Sequence, residues 1–229
     1  MATASKRISR KELRQPDSFQ LGTEKALAFY NGHQALVLTG IGVLIIILAA
    51  VWGWQVYKDN QNVTASLEFN KALVAYQENK YPEALAGFEK VQTYRWSRYA
   101  SLSHLYQTNI YLATNDLDKA LNSGQRAVTA TKPNTMFRQL ALMALAAAEE
   151  RKNQCKTAIE HFDEAQKIAG PLQSSAMLGK ARCAEQIGDK AAAIATYKDY
   201  LKENPGSPMA LKLTELESAS TTQPAAVAK

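Results

Sequence analysis

Four six-residue segments of the sequence resemble one another: KYPEAL (80–85), DLDKAL (116–121), QCKTAI (154–159) and DKAAAI (189–194). Their shared alanines, at positions 84, 120, 158 and 193, are 36, 38 and 35 residues apart. An apolar stretch of helical length precedes each segment, at 66–79, 100–114, 137–151 and 174–187. No segment alternates apolar and polar residues over the length of a strand, so the sequence predicts an all-α chain. Helix pairs repeating at this period stack into an α-solenoid, here of about four units.

The residue types inside each unit fit a close contact between two helices. A small alanine early in the second helix lets that helix approach the first. The aromatic residue one turn later fills the wedge between them, at the position occupied by Phe88, Gly124, Phe162 or Tyr197. Turn-forming residues stand between the helices of a pair, at Asn115-Asp116, Asn153 and Gly188-Asp189. Pro205 then closes the last unit.

A membrane segment is predicted at residues 35–57, ALVLTGIGVLIIILAAVWGWQVY, which contain no Asp, Glu, Lys, Arg or His. At about 1.5 Å per residue, a helix of this length crosses a hydrocarbon core of roughly 30 Å. Trp52, Trp54 and Tyr57 stand at its far end, where amphipathic rings settle among lipid headgroups. The stretch exceeds the roughly 7–15 apolar residues of a cleaved signal peptide, which favours an uncleaved signal anchor. A fully buried core helix is the alternative.

The distribution of charge predicts the orientation of this anchor. The net charge is +6, and residues 1–34 contribute six basic and three acidic groups to it. After the span, Lys58 is the only basic residue before Lys71. Lysine and arginine stay on the cytoplasmic side, so residues 1–34 are predicted to be a cytoplasmic basic head. Residues 23–30 are predicted to form a short amphipathic helix within it, with Gly32 as its stop. The exported part, nearly balanced in charge, gives no reason to expect a nucleic-acid partner.

The domain boundaries follow from these features. Residues 35–57 are the transmembrane helix, 58–215 the helical repeat domain, and 216–229 a tail rich in Ser, Thr, Ala, Gln and Pro that we predict to be disordered. In a Gram-negative bacterium this order predicts a single-pass protein of the inner membrane, with the amino terminus in the cytoplasm and the repeat domain in the periplasm.

On these alanine, aromatic and turn positions, residues 66–205 resemble a tetratricopeptide repeat (TPR) array, although the consensus tryptophan and glycine of the first helix are missing. With its anchor and the head segment KRISRKELRQPDSF (6–19), the chain is similar to bacterial single-span, periplasmic-facing TPR proteins such as the ancillary SecYEG translocon subunit family. The resemblance implies a membrane-anchored scaffold or co-chaperone. Its partners would be translocon components, periplasmic chaperones or exported chains.

The resemblance also implies where partners bind, because TPR arrays usually present the first helix of each pair on a concave surface. The register places Phe69, Leu73, Tyr76, Asn109 and Arg182 on that surface, and its further candidates are Leu105, Leu112, Met143, Glu150, Leu178 and Glu185. A carboxylate clamp of the kind found in chaperone-binding members needs several Lys, Arg and Asn side chains, and only Asn109 stands at such a position. The alternative role for each residue is packing between helices.

A second candidate surface is the junction between the first two units, which carries Tyr94, Arg95, Trp96, Arg98 and Tyr99. Trp, Tyr and Arg are enriched at interface hot spots, because each combines a large contact area with a directed polar group. The competing interpretation is that these side chains fasten the first unit to the second.

Cys155 and Cys183 are predicted to lie on neighbouring antiparallel helices, 28 residues apart in the chain. An exported domain faces an oxidising compartment, so a disulfide is chemically allowed. Two buried thiols are the alternative, and the sequence leaves both open.

The sequence contains no arrangement of residues typical of catalysis, a cofactor or a metal. His33, His104 and His161 fall on separate segments, and Gly-rich phosphate loops, H-E-x-x-H and G-x-S-x-G are missing. We therefore expect a protein that is not an enzyme and has no cofactor. The rival functions are a structural subunit of a larger membrane complex, held through Gly40-x-Gly42, and an organellar import receptor whose repeats face the cytosol.

Overall fold

The computed structural model describes the backbone of residues 18–221 and the side chains of residues 22–219. Every regular element in this part of the chain is an α-helix. The ten helices are α1 (Ser18–Gly32), α2 (Gln34–Gln77), α3 (Tyr81–Gln92), α4 (Arg98–Ala113), α5 (Leu117–Ala130), α6 (Met136–Arg151), α7 (Cys155–Lys167), α8 (Gln173–Gln186), α9 (Lys190–Glu203) and α10 (Met209–Thr221). The chain divides into two compact units, with unit 1 ending at Tyr57 and unit 2 beginning at Lys58.

Four helix pairs make up most of unit 2: the end of α2 with α3, then α4 with α5, α6 with α7, and α8 with α9. The predicted turns at Asn115, Asn153 and Gly188 lie between the helices of the last three pairs, and a turn of the same kind that was not predicted lies at Asn79 in the first pair. In every pair the second residue after the first helix has a positive φ, at Asn79, Asn115, Asn153 and Gly188. The N–H that follows it bonds a carbonyl five residues back, from Lys80 to Ala75, Asp116 to Tyr111, Gln154 to Glu149 and Asp189 to Ala184. This is the Schellman C-cap, which favours Gly and Asn because their left-handed conformation costs little.

The repeated alanines explain how closely the paired helices approach. Ala84, Ala120, Ala158 and Ala193 are all fully buried. One turn later, Phe88, Phe162 and Tyr197 are buried too, and at the same register position Gly124 lies directly against Leu145 of α6. The predicted helix pairs, their register and their turns are therefore confirmed.

Helix α2 differs from its predicted form, because it runs without a break from Gln34 to Gln77. The sequence predicted a boundary after residue 57 and a separate helix beginning at residue 66. The connecting residues, KDNQNVTA (58–65), contain neither glycine nor proline, so the backbone hydrogen bonds continue through them. Ala65, Phe69 and Ala72 bury the last turns of α2 in unit 2. The apolar part of α2 is long enough and apolar enough to cross a membrane, with a mean hydropathy of 2.7, and its most apolar window is not buried by other described residues.

The two ends of the described chain correct two further predictions. α1 begins at Ser18, earlier than the predicted helix at 23–30, and it ends at Gly32 as expected. Residues 216–221, predicted to belong to a disordered tail, instead continue α10 to Thr221. Leu216 is only 9% exposed, because it packs with Ala193 and Tyr197 in a buried cluster. Residues 1–17 and 222–229, which hold the KRISRKEL segment of the head and the rest of the tail, lie outside the described residues.

Candidate functional site

The first helices of successive pairs form one shared surface of unit 2. α4 contacts α6, and α6 contacts α8, in addition to the contacts between helices that follow one another in the chain. Side-chain bonds join these helices across the surface: Arg182 of α8 bonds Glu150 of α6, and Lys212 of α10 bonds Glu185 of α8. A partner lying on this surface would therefore meet residues from several repeats at once.

A groove opens at the carboxy-terminal end of this surface, between α8, α9 and α10. Its volume is about 660 Å³. We call it the end groove, and its lining residues are Leu178, Arg182, Glu185, Gln186, Tyr197, Met209 and Lys212. Leu178 and Met209, each half-buried, supply apolar surface, while Arg182, Glu185 and Lys212 supply charges of both signs. This mixture suits an amphipathic segment of another protein.

The polar side chains of the end groove are held in place by one another. The guanidinium of Arg182 donates two hydrogen bonds to the carboxylate of Glu150, at 2.7 and 2.9 Å, and this pairing raises the pKa of Arg182. Glu185 accepts a hydrogen bond from the Tyr197 hydroxyl at 2.7 Å and pairs with Lys212 at 3.2 Å. Burial, and then the bond to Glu185, raise the pKa of Tyr197, so the phenol stays protonated and donating. A partner would meet a preset pattern of charges.

Of the predicted surface residues, Leu178, Arg182 and Glu185 line the end groove. Phe69 is a correction: it is 6% exposed, because α2 uses this face to pack against α3 and α4. Its ring lies 5.3 to 5.5 Å from those of Phe88, Tyr99 and Tyr106, within a buried aromatic cluster. A side chain enclosed in this way contributes to the stability of the array and is closed to a partner.

Leu73, Tyr76 and Asn109, also predicted for this surface, lie on the first helices of the first two helix pairs. Leu73 and Tyr76 are half-buried against the aromatic cluster, and the Tyr76 ring meets that of Tyr106 edge-on at 5.3 Å. Burial raises the pKa of Tyr76. Asn109 is partly exposed on α4. The structure therefore does not bring these residues together with Arg182 into one site.

At the junction between the first two helix pairs, some side chains face inward and others outward. Tyr94 and Tyr99 pack against the aromatic cluster, and the Tyr99 ring lies 5.3 Å from that of Phe69. Arg95, Trp96 and Arg98 face outward, with Trp96 55% exposed. The two alternatives that the sequence left open therefore apply to different residues. The two tyrosines fasten the first helix pair to the second, and the other three side chains form an exposed surface.

The outward residues line a second pocket, of about 420 Å³, at the edge of unit 2 where the chain enters from α2. Asn62 of α2 borders it and accepts a hydrogen bond from the backbone N–H of Arg98 at 3.2 Å. We call its basic and aromatic lining the junction patch, which consists of Arg95, Trp96, Arg98, Lys132 and Phe137. Among the described residues that line this pocket there is no aspartate or glutamate.

Cys155 and Cys183 form a disulfide bond, which decides between the two states that the sequence left open. Their Cα atoms are 5.0 Å apart, and the bond ties the start of α7 to the late part of α8. Because Cys183 follows Arg182 directly, the disulfide also fixes the wall of α8 that faces the end groove.

Several titratable groups of the array pair with one another. Within the described part of the chain, no three His, Cys, Asp or Glu side chains are arranged to hold a metal ion. The buried carboxylate of Glu149 bonds Nδ1 of His161 at 2.7 Å, and this contact raises the pKa of His161. The pair joins α6 to α7, so its direct effect is on the packing of the third repeat.

Residues 27–218 match the family model described as a tetratricopeptide repeat-like domain. The chain belongs to this family. No curated protein matches the chain. The TPR-like domain is a scaffold for protein–protein interaction, so protein partners in general are expected. The TPR resemblance inferred from the alanine and turn positions is confirmed at this level.

Sequence reasoning missed several residues of both TPR-like surfaces. Met209 and Lys212 belong to α10, whose apolar positions 209, 213 and 216 have helical spacing and could have revealed it. Lys132 reaches the junction patch from the turn between α5 and α6, and Phe137 from the first turn of α6. Only the stacking of consecutive repeats brings that turn beside residues 95–98, so no local pattern signals it.

Proposed function

We propose that this chain is a single-pass protein of a bacterial inner membrane, and that its TPR-like array acts as a scaffold or co-chaperone at the periplasmic face. The apolar part of α2 supports the anchor, since a stretch with mean hydropathy 2.7 is left uncovered by the described chain. The family match begins at residue 27 and therefore includes this stretch. The disulfide supports export, because disulfides persist in oxidising compartments.

The observation that carries the binding role is the end groove. Leu178 and Met209 offer apolar contact. Beside them, Arg182 is held in place by its bond to Glu150, and Glu185 by its bond to Tyr197. An extended or helical protein segment with one apolar side and mixed charges matches this lining. We propose binding rather than catalysis, because the titratable side chains of the groove engage one another as structural pairs.

The anchor would raise the local concentration of this groove for proteins that pass or reside at the membrane. Exported chains, translocon components and periplasmic chaperones are the proposed partners. Tethering favours capture even where the groove itself binds weakly, since a linked site meets its ligand at a high effective concentration.

Photo-crosslinking in native membranes tests this proposal. A photoreactive residue at position 178 should capture periplasmic or translocon proteins, identified by mass spectrometry. The matched control carries the same residue at Glu160, which is exposed on the second helix α7 and lies outside the groove. Capture of the same proteins from both positions, or from neither, would contradict a role for the end groove.

Topology is tested separately with a protease added to cells whose outer membrane has been permeabilised. The proposal requires digestion of the repeats while the inner membrane is intact. Repeats that become accessible only after the inner membrane is broken would favour the rival topology, in which the array faces the cytosol.

A second candidate function, a structural subunit of a membrane complex, is favoured by one surface of α2. Val63, Leu67 and Val74 are 61, 59 and 53% exposed, and they lie opposite the residues that α2 buries in unit 2. Their spacing of four and seven residues forms a stripe suited to one partner helix. Terminal helices of repeat arrays normally expose a polar face, so this apolar stripe is unusual.

Crosslinking from position 67 distinguishes the two functions. A structural subunit should give one stoichiometric partner from Leu67 and none from the end groove. A scaffold should give its partners from Leu178, whatever the result at Leu67. The matched control for Leu67 is Glu83, which is exposed on α3 and lies outside the stripe.

A further inference from the structure

We propose that the junction patch binds the headgroups of anionic phospholipids, and so holds the first two repeats against the membrane surface. This inference rests on the proposed membrane anchor. It assigns a ligand to Arg95, Trp96, Arg98, Lys132 and Phe137, which is a different site from the end groove.

The charge of the patch is the first argument. Arg95, Arg98 and Lys132 are exposed, and none of them forms an ion pair with a carboxylate in the described residues. By contrast, Arg182 and Lys212 of the end groove are both paired with glutamates. Three cations around one pocket without a lining acid create a local positive potential, which attracts an anionic ligand.

The apolar part of the patch is the second argument. Trp96 is 55% exposed and Phe137 48% exposed, and Met136 beside Phe137 is also 55% exposed. Large apolar side chains next to arginine and lysine are typical of the membrane interface, where the rings sit among headgroups and the cations meet phosphates. A phosphate ion alone would account for the cations but not for the large apolar side chains exposed beside them.

The position of the patch in the chain is the third argument, and it favours lipid over an acidic protein. Asn62, which borders the pocket and bonds Arg98, follows the last residue of the apolar segment by five positions. Five residues span at most about 18 Å even when fully extended, so the covalent chain alone keeps Asn62 close to the membrane surface. Headgroups are the anions always present there, and attraction to them acts within roughly 8 Å at physiological ionic strength.

The test uses the full chain in vesicles and the fluorescence of Trp96. The sequence has three tryptophans, at positions 52, 54 and 96, so Trp52→Phe/Trp54→Phe leaves Trp96 as the sole reporter. The protein is inserted into vesicles of phosphatidylcholine alone or of phosphatidylcholine with phosphatidylglycerol, each with brominated acyl chains as quenchers. We expect a blue shift and quenching of Trp96 in the anionic vesicles, reduced by added salt, and a much smaller response in the zwitterionic vesicles.

A charge variant and a matched control make the test specific. Arg95→Gln/Arg98→Gln/Lys132→Gln should abolish the difference between the two vesicle compositions. Lys156→Gln/Lys190→Gln/Lys202→Gln removes the same charge from exposed positions elsewhere in the array and should leave the difference intact. Circular dichroism confirms that both variants are folded. A difference that survives the patch substitutions, or disappears with the control substitutions, would overturn the proposal.

The remaining outcomes separate this inference from the proposed function. Failure of the protein to float with either kind of vesicle would contradict the membrane anchor itself. Flotation with both kinds but an unshifted Trp96 would contradict only the lipid site. A Trp96 that responds in native membranes but not in pure lipid vesicles would assign the patch to an acidic protein instead and would also overturn the lipid proposal.

Discussion

The ring of Phe162 in α7 occupies the space where a side chain at Gly179 of α8 would stand. A Cβ at position 179 would lie 2.5 Å from two ring carbons of Phe162, closer than real Cβ atoms approach their neighbours. Both residues are buried between the third and fourth repeats. The glycine therefore sets how closely these two repeats stack.

We predict that Gly179→Ala destabilises the array by about 1–3 kcal/mol, the usual cost of overpacking a core. The measurement is the free energy of unfolding in denaturant. Phe162→Leu in the same chain should recover part of the loss. Gly206→Ala is the control, because a Cβ there has no neighbour within 4 Å. Equal effects of the two glycine substitutions would contradict the close contact.

Loss of the disulfide between Cys155 and Cys183 should lower the stability of the same repeats. The bond closes a loop of 28 residues, and the chain-entropy relation assigns such a loop about 3.5 kcal/mol. Thermal or denaturant unfolding with and without reductant measures the effect. The Cys155→Ser/Cys183→Ser variant should be weakened and insensitive to reductant. An intact mass that does not change on reduction would show that the bond is not formed.

His161 should make the third repeat more stable in mild acid. Its hydrogen bond to Glu149 raises its pKa in the folded state above 6.5, although burial acts in the opposite direction. The stabilisation is therefore complete below about pH 6.5 and is lost as the pH rises through the folded pKa. We expect His161→Gln to lose more unfolding free energy near pH 6 than near pH 9. An equal loss at both values would contradict the charged pair.

His104 should give the free energy of unfolding the opposite pH dependence to that of His161. Burial lowers its pKa first, Arg126 adds to that shift, and a hydrogen bond with Gln107 opposes it. The unfolded chain therefore binds a proton more readily, so stability falls as the pH drops through about 6.5. His104→Gln should become more stable relative to the parent chain as the pH is lowered. Urea unfolding across pH 5 to 8 measures this, and a parallel pH dependence of the two chains would refute it.

At the left-handed turn at Asn115, the stability of a variant should depend on whether its residue type tolerates a positive φ, and not on the size of its side chain. Its φ is +58°, which glycine adopts freely and alanine does not. We expect Asn115→Gly to be close to neutral and Asn115→Ala to cost roughly 1 kcal/mol of unfolding free energy. Asn122→Ala, on an exposed position of α5, provides the control. A loss from Asn115→Gly as large as that from Asn115→Ala would argue against the turn conformation.

Those features of the fold that depend on neighbours in the chain could be predicted from the sequence. Alanine at 84 and asparagine at 115 act through the helix pair that contains them, so spacing and residue type are sufficient to identify them. The disulfide was predictable only in part: the sequence placed Cys155 and Cys183 on adjacent helices but did not decide whether they form a bond.

The candidate sites depended more on packing between repeats. Phe69 shares its helix with Leu73 and has the same apolar character, yet only the position of α3 and α4 decides that Phe69 is enclosed. Within six residues of the junction, Tyr94 and Tyr99 turn inward while Trp96 turns outward. Residue type does not separate them, because each is an amphipathic aromatic residue.

The sequence by itself determined the helix pairs, their period, their turns and the long apolar stretch, since helical spacing and turn chemistry act over a few residues. Only the tertiary structure decided that α10 completes the end groove and that Lys132 joins Arg95 and Arg98. These features come from contacts between segments about 30 residues apart in the chain. Such contacts are set by how one repeat stacks on the next, and a local pattern does not encode that geometry.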